Sequence, residues 1–212
     1  MANDDVTVIA AHDPRAVVLF CAGRGGHPSR HRPLLETLAA HGTTVIAPHF
    51  DMLPMAPPSA ADLEARIAKA ESALVQAPQG LPIIGIGHSI GTVILLAMAG
   101  AKATTLAGET VAPGSHDFSR LYLMAPTTPF FRRPGALDAI RMPVRIRVGT
   151  LDSITPPEQS EFLAGALANA SLSIDADAGH FTYMDELPPQ VSDPHPDRAA
   201  FLTELAEDAA RF

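Results

Sequence analysis

Cysteine is almost absent: Cys21 is the only one in 212 residues. A lone thiol cannot close an internal disulfide, and without a cysteine pair there is no thiolate zinc site, so the fold has to stand on its core. Basic residues are scarce too. Lys and Arg number 15 against 23 Asp and Glu, a formal charge of −8, which argues against nucleic acid as a partner, because that affinity comes from neutralising phosphates. Long apolar runs are also missing. The stretch Val93 to Ala101 is far below the roughly 20 residues of a membrane span, so no membrane partner is expected. The acidic start, Met1-Ala2-Asn3-Asp4-Asp5, has the wrong charge for a secretory signal. These absences point to a soluble protein of a reducing compartment, the cytoplasm. There is no internal repeat or low-complexity tract. The 20 prolines gather around 54–58, 126–134 and 188–196, where they punctuate connections without forming an interdomain linker. With 47% hydrophobic residues, the length suits one domain over residues 1–212 with a single substantial core.

Runs rich in Val, Ile and Leu alternate with segments of helical period, the pattern of an α/β fold with a mostly parallel sheet. The expected strands are Val6 to Ala10, Ala16 to Cys21, Thr43 to Ala47, Ile83 to Gly87, Leu121 to Met124, Val144 to Val148 and Ser171 to Ile174. Several are apolar throughout, as strands covered by helices on both faces should be. Only the turn His12-Asp13-Pro14 separates the first two, which predicts an antiparallel hairpin. Leu34, Leu35 and Leu38 before Gly42 predict a short helix with a glycine stop. Ser59 and Asp62 form a capping signal ahead of Leu63, Ile67, Ala70 and Leu74 on one helical face. Pro196 opens a C-terminal helix carrying Phe201, Leu202, Leu205 and Ala209.

The chemistry begins at Gly87-His88-Ser89-Ile90-Gly91, where a strand runs into an apolar helix through Gly-x-Ser-x-Gly. In that setting a serine at a strained strand-to-helix turn is lifted above the sheet with glycines giving the backbone room, so Ser89 is the candidate nucleophile. At this composition chance yields the pattern in about one sequence in twenty, so its context has to carry the argument. A serine hydroxyl needs a histidine to take its proton and a carboxylate to orient that histidine. Two later strands supply them. Val144 to Val148 leads into Gly149-Thr150-Leu151-Asp152, and the last strand leads into Asp177-Ala178-Gly179-His180. Parallel strands place all three loops on one sheet edge, so Ser89, Asp152 and His180 can converge.

With these motifs in the order Ser, Asp, His, the sequence resembles the α/β-hydrolase superfamily, in particular its small lidless serine hydrolases of the carboxylesterase and dienelactone-hydrolase-like kind. The resemblance spans nearly the whole chain. It implies a single-domain α/β-hydrolase fold, a mostly parallel sheet of about seven or eight strands with helices on both faces, and no large cap domain. It also implies hydrolysis of an ester or related acyl bond of a small-molecule substrate, through an acyl-enzyme and without a cofactor. The oxyanion hole implied is made of two backbone amides, those of Ile90 and, in Cys21-Ala22-Gly23-Arg24-Gly25-Gly26-His27, of Arg24. Ala22 stands where relatives commonly carry histidine. Dienelactone hydrolases carry cysteine at the elbow, so Ser89 sets this chain apart from their particular reaction. A lid would fall between Met124 and Val144, where the sequence has room for one short helix near Leu137 to Arg141. Phe130 and Phe131 in that connection are candidates for the wall of an open acyl pocket, with plain packing as their alternative role.

Other readings of these residues compete. Ser89 could merely cap its helix, Asp152 could be a turn residue with Asp177 as the acid, and His180 an exposed loop residue. His88 is expected to pack beneath the elbow. His27, His31, His49 and Asp51 suggest a metal site, but Pro28, Ser29 and Pro33 break the helix that a four-residue histidine spacing needs, so no metal is expected. Cys21 reads as a buried structural thiol. Gly85, Gly87 and Gly91 resemble a variant dinucleotide-binding fingerprint, with Glu109 as a ribose ligand, which would make the protein an oxidoreductase. That reading leaves Asp152 and His180 unexplained. A non-catalytic binding protein on a hydrolase scaffold is the remaining class.

Overall fold

The computed structural model describes residues 5–212, so the acidic segment at Met1 to Asp4 lies outside the described residues. Seven strands form one sheet: β1 (Val6–Ile9), β2 (Ala16–Cys21), β3 (Thr43–Pro48), β4 (Ile83–His88), β5 (Phe118–Met124), β6 (Val144–Gly149) and β7 (Ala170–Asp175), in the spatial order β1-β3-β2-β4-β5-β6-β7. All pairings are parallel except that of β1 with β3. Five helices, α1 (Arg32–Ala40), α2 (Ala60–Leu74), α3 (Ile90–Met98), α4 (Pro157–Ala166) and α5 (Arg198–Arg211), join them.

The period of two along β2 explains why both faces are covered. Val17, Leu19 and Cys21 enter one apolar cluster with Leu63 and Ile67 of α2, Val93 and Ile94 of α3, and Leu163 of α4. Ala16, Val18 and Phe20 enter the other with Leu34, Leu35 and Leu38 of α1 and Phe201 and Leu205 of α5. Alternate side chains thus feed opposite cores, and every β2 residue is buried. Cys21 is fully buried and its thiol pKa is pushed up by desolvation, which marks it as a packing residue. The capping box expected at the start of α2 is present, with Ser59 Oγ accepting from Asp62 N at 3.2 Å and Asp62 Oδ2 from Ser59 N at 2.9 Å.

Two expectations need correction. The first two strands form no hairpin: β3 lies between them and β1 pairs with β3. Both edges of fully buried β2 are occupied by parallel partners, β3 and β4, whereas half-exposed β1 suits the sheet margin. The helix expected near Leu137 to Arg141 is a series of turns closed by Ala136 N to Arg133 O and Ile140 N to Leu137 O, since Gly135 adopts a positive φ of 74° and Pro143 follows closely. Conversely, α4 escaped the sequence reading because its apolar stripe is slight: only Ser160 and Leu163 are buried.

Between α1 and the final loops lies His31, only 1% exposed, with Nδ1 3.1 Å from the Tyr183 carbonyl. Burial, with the Arg30 charge acting in the same sense, lowers its pKa from 6.5 to about 4, against the pull of the Tyr183 carbonyl. The folded protein therefore keeps this ring neutral where the unfolded chain protonates it. Its contribution to stability is complete above pH 6.5 and is lost as the pH falls toward 4, by roughly 3 kcal/mol at most. Urea denaturation at pH 7.5 and 4.5 should show a smaller acid-induced loss for His31→Gln than for the unmodified protein.

Candidate active site

All loops that follow the parallel strands open on one edge of the sheet, and the three residues singled out in the sequence meet there. Ser89 occupies the turn from β4 into α3 with φ 55° and ψ −125°, a strained backbone for a residue with a side chain. Its amide donates to Met124 O at 2.9 Å, and its carbonyl accepts from Thr92 Oγ1 at 2.7 Å. The turn is this tight only because α3 descends onto the end of β2: a Cβ on Gly91 would lie 2.0 Å from the Cys21 carbonyl oxygen. Although Ser89 is the residue that caps the start of α3, its side chain makes no capping bond. The hydroxyl is left for another partner, His180, whose Nε2 is 2.9 Å from Ser89 Oγ.

His180 Nδ1 lies 2.8 Å from Asp152 Oδ2. Asp152 is buried yet richly solvated by protein: Oδ1 accepts from Ile154 N at 2.8 Å and Thr155 N at 2.7 Å, and Oδ2 from Thr155 Oγ1 at 2.7 Å. Desolvation alone would raise the carboxyl pKa, but the His180 and Thr155 hydrogen bonds outweigh it and hold Asp152 below the usual carboxylate range. An acceptor-only carboxylate fixes the proton of a neutral imidazole on Nδ1, leaving the Nε2 lone pair facing Ser89. The approach of the two loops needs Gly149, where a Cβ would fall 2.0 Å from the Ala178 carbonyl oxygen. Asp177 is elsewhere: exposed, with φ 58°, its amide bonded to Thr150 Oγ1.

Further residues, most of them outside the sequence reading, complete the support. Besides Thr155, the buried His88 directs Nε2 at the His180 carbonyl, 2.9 Å away, as its expected place beneath the elbow allows. Tyr183 donates to Asp175 Oδ2 at 2.6 Å, and Asp175 in turn pairs with Arg147 at 2.8 Å, tying the histidine loop to the sheet. Arg66 of α2 inserts its guanidinium beneath the loop containing Arg24 and binds the carbonyls of Gly23, Arg24 and Asp51. Desolvation pushes its pKa down to about 10, which still leaves it charged at neutral pH. The signal for Arg66 was available: it interrupts the apolar stripe of Leu63, Ile67 and Ala70, and a cation on a core-facing helical position needs buried acceptors.

The Ile90 amide opens α3 beside Ser89, and the loop carrying Arg24 passes over the strand-to-helix turn, where a Cβ on Gly23 would be 3.4 Å from Ser89 Cβ. The expected substrate wall is absent at Phe130 and Phe131. They are 3% and 1% exposed and lie in the core with α3, which satisfies the packing alternative. The glycines of the nucleotide reading are spent on packing, since a Cβ on Gly85 would meet Leu121 at 2.6 Å and one on Gly87 would meet Leu95 at 2.9 Å. Glu109 accepts from Ala60 N at 2.9 Å, at the start of α2. The rings of His27 and His49 meet at a tilt with centroids 4.2 Å apart, while His31 points to Tyr183. Among the described residues no group of three or more His, Cys, Asp or Glu side chains converges as metal ligands would.

No family model and no curated protein matches the chain. Solved structures do. The propionate-bound esterase Est2 of Thermogutta terrifontis is 20% identical, with a TM-score of 0.67 over 96% of this chain and 87% of that one. The same esterase phosphorylated by paraoxon gives 20% identity and a TM-score of 0.67 over 96% and 86%. A monoacylglycerol lipase of Paleococcus ferrophilus is 16% identical, with a TM-score of 0.63 over 97% and 98%. At these identities the likeness establishes architecture: the protein has the α/β-hydrolase fold, in its small form.

The geometry predicts a low-field imidazole N–H resonance from the His180 to Asp152 hydrogen bond in proton NMR. Asp152→Asn should abolish it and Asp177→Asn should leave it in place; the reverse result would transfer the acid role to Asp177.

Proposed function

We propose that the protein is a serine hydrolase that cleaves a carboxylic ester or related acyl bond of a small substrate. The observation carrying this reading is the continuous hydrogen-bonded line from Ser89 Oγ through His180 to Asp152, at 2.9 and 2.8 Å, with the serine on a strained strand-to-helix turn. A capping or purely structural serine has no need of that line. His180 Nε2 takes the Ser89 proton as Oγ attacks the acyl carbon, and the imidazolium gives that proton to the leaving alcohol. Water, deprotonated by the same nitrogen, then releases the acid from the acyl-enzyme. Asp152 remains ionised and stabilises the imidazolium. Negative charge on the tetrahedral intermediate is met by the amides of Ile90 and Arg24, each such donor typically lowering the barrier by about 3 kcal/mol. The chemistry calls for no cofactor.

Two features support small acyl substrates that enter without a lid. The connection from Met124 to Val144 is occupied by the short helical turn Pro129–Phe131 and the packed turns after Gly135, leaving no segment long enough for a cap. Propionate and butyrate complexes exist for the Thermogutta esterase of like fold. Activity on short and medium acyl esters should therefore lack a jump in rate at the solubility limit of the substrate.

Ser89→Ala and His180→Ala should each lose about three or more orders of magnitude in kcat while keeping the thermal midpoint within a few degrees, and the double variant should be little slower, because the pair acts as a unit. Asp152→Asn should also be strongly impaired, by admitting the wrong imidazole tautomer. A fluorophosphonate should form one covalent adduct, located at Ser89 by peptide mass spectrometry. Full hydrolysis by purified Ser89→Ala would remove the proposal.

A further inference from the structure

We infer that Arg66 is a positioning residue for the oxyanion hole: by binding the carbonyls of Gly23 and Arg24 from inside the molecule, it turns the amides of the loop toward Ser89. The catalytic consequence rests on the hydrolase reading, whereas the positioning itself does not.

Arg66 is 4% exposed on the core face of α2. Its partners are backbone carbonyls: Nη1 donates to Gly23 O at 2.9 Å, and Nη2 to Arg24 O at 2.9 Å and Asp51 O at 2.5 Å. Nε is buried without a partner among the described residues, so the side chain is held here by those three charge-assisted bonds and by its place 5.0 Å over the Phe50 ring. The consequence for the loop follows from peptide geometry. No peptide bond among the described residues is cis, and in a trans unit the carbonyl of one residue and the amide of the next lie in one plane and point in opposite directions. Fixing Gly23 O on Arg66 therefore aims the Arg24 amide away from the guanidinium, and fixing Arg24 O does the same for the Gly25 amide. The Gly26 amide also donates to Gly23 O, at 3.1 Å, so that peptide plane is held from two sides. The Leu53 amide likewise joins Arg66 on Arg24 O, at 3.0 Å. Gly23 lies against the Ser89 side chain, so the reversed amides border the position of the attacking oxygen. A neutral side chain of similar length would fill the space but donate nothing, leaving Gly23 O and Arg24 O with a single backbone amide each and Asp51 O without its guanidinium donor.

Arg66→Met and Arg66→Lys in the full chain test this, with amide hydrogen exchange, kinetics on a short p-nitrophenyl ester, and affinity for a trifluoromethyl ketone whose alkoxide adduct sits where the tetrahedral intermediate would. For Arg66→Met, exchange should rise at residues 23–26 and 51–53 but not at 150–155. Its kcat should fall at least tenfold, toward the roughly hundred- to thousandfold cost of losing an oxyanion donor outright, with KM within about threefold. Ketone affinity should fall by the same factor as kcat/KM, and Arg66→Lys should recover part of both. Should Arg66→Met not fold, Arg66→Lys decides on the same readouts. Unchanged exchange at 23–26, or a lower thermal midpoint with undiminished kcat and ketone affinity, would overturn the inference. If the unmodified protein neither hydrolyses the ester nor binds the ketone, the hydrolase reading falls and the catalytic role of Arg66 with it, while the exchange pattern still decides whether Arg66 orders the loop.

Discussion

An ionised carboxylate inside a protein is costly unless its oxygens are fully occupied, and the arrangement around Asp152 answers that demand. Two backbone amides, the Thr155 hydroxyl and the His180 ring surround it. Meeting these donors requires the loops after β6 and β7 to touch, which the missing side chain at Gly149 permits. It also requires β6 and β7 to hold register, and Arg147 on β6 pairs with Asp175 on β7 and with Glu204 and Asp208 on α5. Tyr183, three residues beyond His180, ends on the same Asp175. The C-terminal helix, the last two strands and the histidine loop therefore form one electrostatic unit, whose common effect is to hold an imidazole in a single tautomer and orientation.

The opposite side of the site is governed by close backbone approach. Gly91 lets α3 rest on the end of β2, which brings the loop after β2 above Ser89. A buried cation then orders that loop. A serine held at φ 55° stores strain of about 1–3 kcal/mol, which the packing of α3 against one face of the sheet has to sustain. Every residue of α3 is buried, and that explains why a nine-residue helix with no capping side chain can hold such a turn.

Much of this was legible in the sequence, for physical reasons. The central strands announce themselves because strands covered on both faces are apolar throughout and the edge strands by their alternation, and the meeting of Ser89, Asp152 and His180 is foreseeable because parallel strands send their loops to one edge whatever the details of pairing. Strand order was less accessible. The partner of β1 depends on which edges of β2 are free, a property of the whole sheet that the short link at residues 10–15 does not encode. The helix α4 shows little periodicity since it buries so little. Phe130 and Phe131 looked like a pocket wall from their place in the chain, but the turns around them face the core, and only three-dimensional packing decides which way a turn presents its side chains. Arg66 acts through hydrogen bonds to loops distant in sequence, so composition and spacing say nothing of its partners, although an arginine on an apolar stripe was a visible anomaly; Thr155 lies only three residues from Asp152, yet a threonine in a turn carries no signal of which carboxylate it serves.

Cys21 gains a meaning from its neighbours. Its carbonyl is the surface on which Gly91 rests, and its thiol is enclosed in the core shared with α2 and α3. Alkylating reagents are attacked by the thiolate, a form this environment suppresses, and they need room that the closed molecule does not provide. The sole sulfhydryl of the chain is thus a built-in clock: the rate at which it is alkylated under native conditions reports how readily the layer of α2 and α3 opens from the sheet.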